Sequence, residues 1–144
     1  MAYFSLIAGR TKLFSMKKIF TILCTGLFFV ALAAFKQGGG MDEVIGALRN
    51  GNAAELAKYL DDNVEIALPA KSDSYSRSQA VIILQDFFNN TGIKGFDVKY
   101  RGDNGGTQYC IGTLQTRSGG YRTTFFLTNR NGKLLVKEIR FQTM

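Results

Sequence analysis

The chain has 144 residues, 46% hydrophobic and 12% aromatic, which is enough for one domain with its own core. Its formal charge of +7 comes largely from Arg10, Lys12, Lys17 and Lys18; the residues after an expected cleavage point at Ala33 carry 14 basic and 11 acidic side chains, a net of only +3. That excludes the concentrated basic stripe of a nucleic-acid binder, and a histidine count of zero removes the commonest general base and metal ligand together.

Lys17-Lys18 leads into a run from Ile19 to Ala34 without a charge, which contains Ala31-Leu32-Ala33. A positive start, a short apolar core and a small-residue cleavage pattern read as a secretory signal peptide over 16–33. A membrane span needs about 20 apolar residues, and this run falls short. The mature protein is therefore expected outside the cytoplasm, periplasmic or secreted, with no membrane contact after cleavage. Met16 stands where an initiator would, so 1–15 reads as an upstream extension. Cys24 lies inside the apolar run behind Leu23, unlike an acylated cysteine. Cleavage leaves Cys110 alone, so no internal disulfide forms and packing must hold the fold.

Residues 34–40 end in Gly38-Gly39-Gly40, a flexible linker by composition. The folded domain is expected over 41–144. Asp42-Glu43 suits a helix N-terminus, Val44, Ile45 and Leu48 repeat at helical spacing, and Gly51 stops the helix. Asn52 with Glu55 resembles a capping box for a second short helix carrying Leu56, Tyr59 and Leu60. Asp61-Asp62-Asn63 reads as a helix-to-strand turn, because the ligand spacing of a calcium loop is missing. Val64 to Leu68 alternates as a strand that Pro69 ends, and Ala70 to Ser76 is a polar loop with room for one short strand around Tyr75. Ser76 with Gln79 caps the longest helix. Ala80, Val81, Ile83, Leu84, Phe87 and Phe88 give it a broad apolar face, and Ile82 implies burial on more than one side. Asn89-Asn90-Thr91-Gly92 ends it.

From Phe96 to Phe141 the chain reads as four strands separated by turn signals at Asp103–Gly106, Ser118–Gly120 and Asn129–Gly132. Phe96, Val98 and Tyr100 are expected on one face of the first strand, with Asp97, Lys99 and Arg101 on the other. Leu135, Ile139 and Phe141 oppose Glu138 and Arg140 in the last. In the third, Phe126 must point away from Phe125 and Leu127, into a threonine-rich patch if helices cover the other pair. A homodimer across that outer face is expected.

This order resembles the cone-shaped α+β fold of nuclear transport factor two and the ketosteroid isomerases, also called cystatin-like. The stretch DEVIGALRNGNAAELAKYLDDNVEIALP looks like its opening, and VKEIRF looks like the final strand of a group of exported bacterial domains of unknown function. The resemblance covers Met41–Met144 and implies a curved antiparallel sheet wrapped on the long helix, with two short N-terminal helices and a pocket at the cone's mouth. Relatives of this fold often dimerise through the sheet. Tyr59, Phe87, Phe96 and Tyr100 are then the expected pocket lining. The dehydratases of the fold use a histidine–aspartate pair, which cannot exist here. The isomerases use an aspartate base with tyrosine and acid donors; Asp97, Glu138 and the tyrosines are the available pieces, but both carboxylates fall on polar strand faces.

Cys110 lacks an activating histidine and reads as a small buried hydrophobe. Lys99, Arg101, Arg117, Arg122 and Arg140 read as a solvated outer face paired with Asp97 and Glu138. No catalytic residue, metal ligand or cofactor is expected. The expected function is an exported, non-enzymatic module that binds a small apolar or amphipathic ligand or a protein partner. The alternative is a small isomerase- or dehydratase-like enzyme working with carboxylates and tyrosines.

Overall fold

The computed structural model describes residues 40–144; the expected upstream extension, signal peptide and all but the last residue of the linker lie outside the described residues. Helix α1, Gly40–Asn50, buries Met41, Val44, Ile45, Ala47 and Leu48. It ends as the sequence implies. Gly51 takes the left-handed conformation at φ 62°, its N–H bonds to the Leu48 carbonyl, and the Asn52 N–H bonds to that of Ala47. Those two bonds make a Schellman cap. Asn52 then accepts the Glu55 N–H at 3.1 Å to open helix α2, Ala53–Ala57. Glu55 turns outward to Lys58 rather than back to Asn52.

Strand β1, Leu60–Ala67, starts earlier than expected. Asp61, Asp62 and Asn63 belong to it instead of to a turn, because Asp61 is tied down: only 7% of its side chain is exposed, and it pairs with Arg130 and accepts the Asp62 N–H. Arg77 holds the same end, donating to the Leu60 carbonyl and to Asp62. Strand β2, Ser72–Ser76, fills the short-strand position around Tyr75. Helix α3, Arg77–Thr91, opens on a complete capping box between Ser76 and Gln79 and closes at Gly92, φ 67°. It buries Ala80, Leu84, Phe88 and Thr91, with Val81, Ile83 and Phe87 partly buried against the same core, so the broad apolar face is present. Ile82 is 62% exposed, so the expectation of burial on more than one side is wrong. The helix packs against β1, β2 and the short helix α2, and Ile82 is left in water.

Four long strands follow: β3, Ile93–Asn104; β4, Thr107–Thr116; β5, Gly119–Arg130; and β6, Lys133–Thr143. Gly105-Gly106 and Asn131-Gly132 close the outer two hairpins with both central residues at positive φ, the geometry that matches strand twist. The six strands lie in the order β2-β1-β6-β5-β4-β3. All neighbours are antiparallel except β1 and β6, which run parallel. The result is an α+β fold with a curved sheet and its helices packed on one face.

Two bulges set the sidedness. Val98 pairs with Gly112 but Tyr100 with Ile111, which leaves Lys99 as the extra residue in β3. Phe126 pairs with Glu138 but Leu127 with Val136, which leaves Lys137 extra in β6. Each bulge reverses the side-chain alternation beyond it. Tyr100 therefore leaves the inner face and Arg101 joins it, where it pairs with Asp42 of α1. Leu135 likewise leaves the inner face to Val136. Two expected face assignments are corrected by one mechanism. Phe125 and Leu127 are fully buried and Phe126 points the other way, as the alternation implies.

Glycines mark where backbone must approach. A Cβ built on Gly112 would lie 2.5 Å from the Phe96 ring and 2.6 Å from the Asp97 carbonyl, whereas one on Gly46 in α1 would meet nothing within 4 Å. Gly112→Ala is expected to lose about 1–3 kcal/mol through overpacking, and Gly46→Ala to gain about 0.5–1 kcal/mol from helix propensity. Urea unfolding of the two variants checks the opposite signs.

Candidate functional site

The inner face is packed by aromatic rings. Phe87 of α3 lies 4.7 Å from Phe141 and 5.3 Å, edge-on, from Tyr121, centroid to centroid. Phe96 is 4% exposed, covers Gly112 and stands 6.4 Å from Phe125. Tyr59 is half-buried beside Gly40 and Leu134, and its carbonyl accepts the Val136 N–H at 2.6 Å. Leu134 and Phe141 lie near opposite ends of β6, so Tyr59 and Phe87 do not share an enclosure. Tyr100, expected to line the pocket, is 67% exposed on the outer face, carried there by the Lys99 bulge. The four residues expected to line one pocket are dispersed. Cys110 is buried in the same inner layer, and loss of water pushes its thiol up to about 11 despite the Arg101 cation nearby. It is a core residue without nucleophilic character at neutral pH.

The outer face is different. Tyr109 and Phe126 are cross-strand partners with ring centroids 6.4 Å apart, and the Tyr109 ring also lies across Gly102. Ile111 stands beside them next to Tyr100, and Leu135 beside Thr128. All but Tyr100 are half-buried, giving an aromatic stripe among threonines. The alternation about Cys110 already contained this signal, since Tyr109 and Ile111 must oppose a buried neighbour. Charges edge the stripe. Lys99 binds Asp97 at 2.7 Å and Arg140 binds Glu138, so both isomerase-type carboxylates are engaged by cations on the water side. Arg117 and Arg122 have no ion-pair partner among the described residues. Among them, too, no cluster of acidic or cysteine side chains could hold a metal ion, and no helix is long and apolar enough to cross a membrane.

A cavity of about 660 Å³ opens where the β1–β2 hairpin stands away from the end of β6. Leu68, Pro69 and Ser72 wall it on one side, and Arg140 and Gln142 on the other, with Glu65 at its rim. It borders the aromatic cluster under α3, since Phe141 belongs to both. Sequence reasoning missed it, because nothing local to Pro69 says which strand lies beyond the hairpin.

A family model described as a domain of unknown function, DUF4783, matches residues 41–142. The chain belongs to that family. Two solved relatives agree with it across nearly their whole length. A DUF4783 family protein from Bacteroides ovatus is 30% identical, with a TM-score of 0.69 over 71% of this chain and 93% of its own. Another, from Bacteroides uniformis, is 31% identical, with a TM-score of 0.69 over 72% of this chain and 95% of its own. An NTF2-like protein of unknown function from Cytophaga hutchinsonii is 14% identical, with a TM-score of 0.52 over 70% of this chain and 83% of its own. The DUF4783 domain here thus has the fold of nuclear transport factor two, as the order of its elements implied. No curated protein matches the chain.

Asp97 is exposed and its ion pair spans two residues of one strand. Such pairs contribute roughly 0–1 kcal/mol. Asp97→Asn is expected to leave the melting temperature within about 4 °C and to complement a deletion strain fully. Loss of complementation with a normal melting curve would identify Asp97 as a working carboxylate.

Proposed function

We propose that this domain is an exported, non-enzymatic binding module whose partner is a protein, in the first instance a second copy of the chain. The observation that carries this reading is the Tyr109–Phe126 pair on the sheet face opposite the helices. Aromatic rings that keep one side in water are the usual anchors of protein interfaces. Four strands spaced about 4.8 Å apart and about 36 Å long offer on the order of 700 Å², near the ~800 Å² per partner of a standard interface. An isologous contact across this face would bring the stripe of one copy against that of the other, threonine against ring.

A small apolar ligand has less support as the occupant, since Phe87 and Phe96 are already engaged with Phe141, Tyr121 and Phe125. The enzyme alternative needs a carboxylate and a tyrosine converging in an apolar enclosure. Asp97 instead stands in water and Glu138 is half-buried on the outer face, each hydrogen-bonded to a cation. Export rests on the leader pattern from Lys17 to Ala33.

Sedimentation at micromolar concentration is expected to give a dimer, and Phe126→Lys to raise its dissociation constant about 30-fold or more, as loss of an anchor side chain does. The half-exposed position lets the variant fold, which circular dichroism checks. A monomeric mass for the unmodified protein removes the reading. N-terminal sequencing of the material outside the cytoplasm is expected to begin near Ala34; an intact Met16 start in washed membranes would mean an anchor.

A further inference from the structure

We infer that the cavity between the β1–β2 hairpin and the end of β6 is a slot for an extended peptide strand carrying a basic side chain. It goes beyond the dimer reading and does not depend on it. The parallel ladder between β1 and β6 ends at Ala67 and Arg140. The ladder between β5 and β6 continues through Phe141 and Gln142 to Thr143. β6 lies inside the sheet, between β1 and β5, yet its last three residues are paired on one side alone. The cause is local. Leu68 and Lys71 exchange both backbone hydrogen bonds, at 2.7 and 3.2 Å, and close a tight turn that sends the chain away into β2. Pro69 sits in that turn and has no N–H to offer β6.

Successive residues of a strand present N–H and C=O to alternate sides. At least one residue from Phe141 to Thr143 therefore aims a donor and an acceptor into the opening. Gln142 and Thr143 are exposed, so water meets such groups at the opening until a ladder partner replaces it. A peptide strand entering along the line that β1 abandons would complete the ladder, which is how extended peptides are captured at open strand edges. The volume of about 660 Å³ lies within the range of ligand pockets. Leu68 and Pro69 supply an apolar wall, and Gln142 and Ser72 supply polar side chains at the opening.

Charge selects the peptide. Glu65 and Glu138 are register partners on the outer side of adjacent strands, and Arg140 is already engaged by Glu138. Glu65 has no ion-pair partner among the described residues, so Glu65, Glu138 and Arg140 leave one negative charge on the β1 side of β6; the unpaired Arg122 stands opposite Gln142 on β5, across β6 from the slot. Lys71, the nearest cation of the hairpin turn, lies over the Tyr75 ring at 5.9 Å. A lysine or arginine of the incoming strand answers Glu65.

The test is an NMR titration of the ¹⁵N-labelled protein with the blocked pentapeptide acetyl-Thr-Val-Lys-Val-Thr-amide. The Phe126→Lys variant is titrated in parallel, so that failure of the dimer reading and of this one are read separately. Saturable shifts are expected at Leu68 and at Phe141 to Thr143. Glu65→Lys is expected to weaken binding about tenfold, and exchanging the peptide lysine for glutamate to restore it on that variant. Methylating both valine amides should abolish binding. Three results with peptide overturn the inference: no saturable shifts at millimolar peptide, shifts that survive amide methylation, or shifts confined to Tyr109 and Phe126. Concentration-dependent shifts at the same β6 amides without peptide would assign the slot to a second copy and also overturn it.

Discussion

Strand β6 is the joint on which the rest depends. On one side it carries a full antiparallel ladder to β5, and on the other it pairs in parallel with β1, which brings the N-terminal helices to the sheet. Residues far apart in sequence meet there, at a high entropic cost of loop closure that burial must offset. The offset is visible in the fully buried Leu60, Val64, Ile66, Val136 and Ile139 along the seam. Polar ties reinforce it at one end, where Val136 bonds to Tyr59 and Arg130 reaches Asp61. At the other end the seam stops short, and the cavity opens where it stops.

The two faces of the sheet do different work because alternation sorts side chains by parity, and the bulges at Lys99 and Lys137 change that parity twice. Without the first bulge, Arg101 would face water and Tyr100 would press on α1. With it, the guanidinium reaches Asp42 at the dipole-positive end of α1, and the tyrosine joins the outer stripe. Two aromatic–glycine pairs complete the partition. Phe96 covers Gly112 on the inner face, and Tyr109 covers Gly102 on the outer. Each ring occupies the space that a side chain would have filled, so the sheet stays close-packed while it curves.

The inner face is consequently a filled core, and the binding we propose falls to the outer face and the β6 end. There the thiol is buried and the rings pack on rings, while on the outer face the acids are held by cations. The related DUF4783 structures share this frame at 30–31% identity.

Much of this was legible in the residues themselves. Short-range chemistry determines element boundaries: Gly51 and Gly92 as left-handed stops, the Ser76–Gln79 box, and Asn131-Gly132 in its hairpin are each decided within about four residues. Strict alternation also decides that Phe126 opposes Phe125 and Leu127. The sequence by itself therefore determined the fold class, the hairpin order and the outward side chain of Phe126. Parity across a bulge is decided by the partner strand, so Tyr100 and Leu135 could not be assigned from their own neighbours. Ile82 fits a helical apolar run, but only the sheet decides how wide a stripe it covers. Asp61 becomes a buried ion partner through Arg130, 69 residues away. The gap beside Phe141 to Thr143 exists because two strands of unequal reach lie side by side, a fact of tertiary pairing that no local pattern encodes.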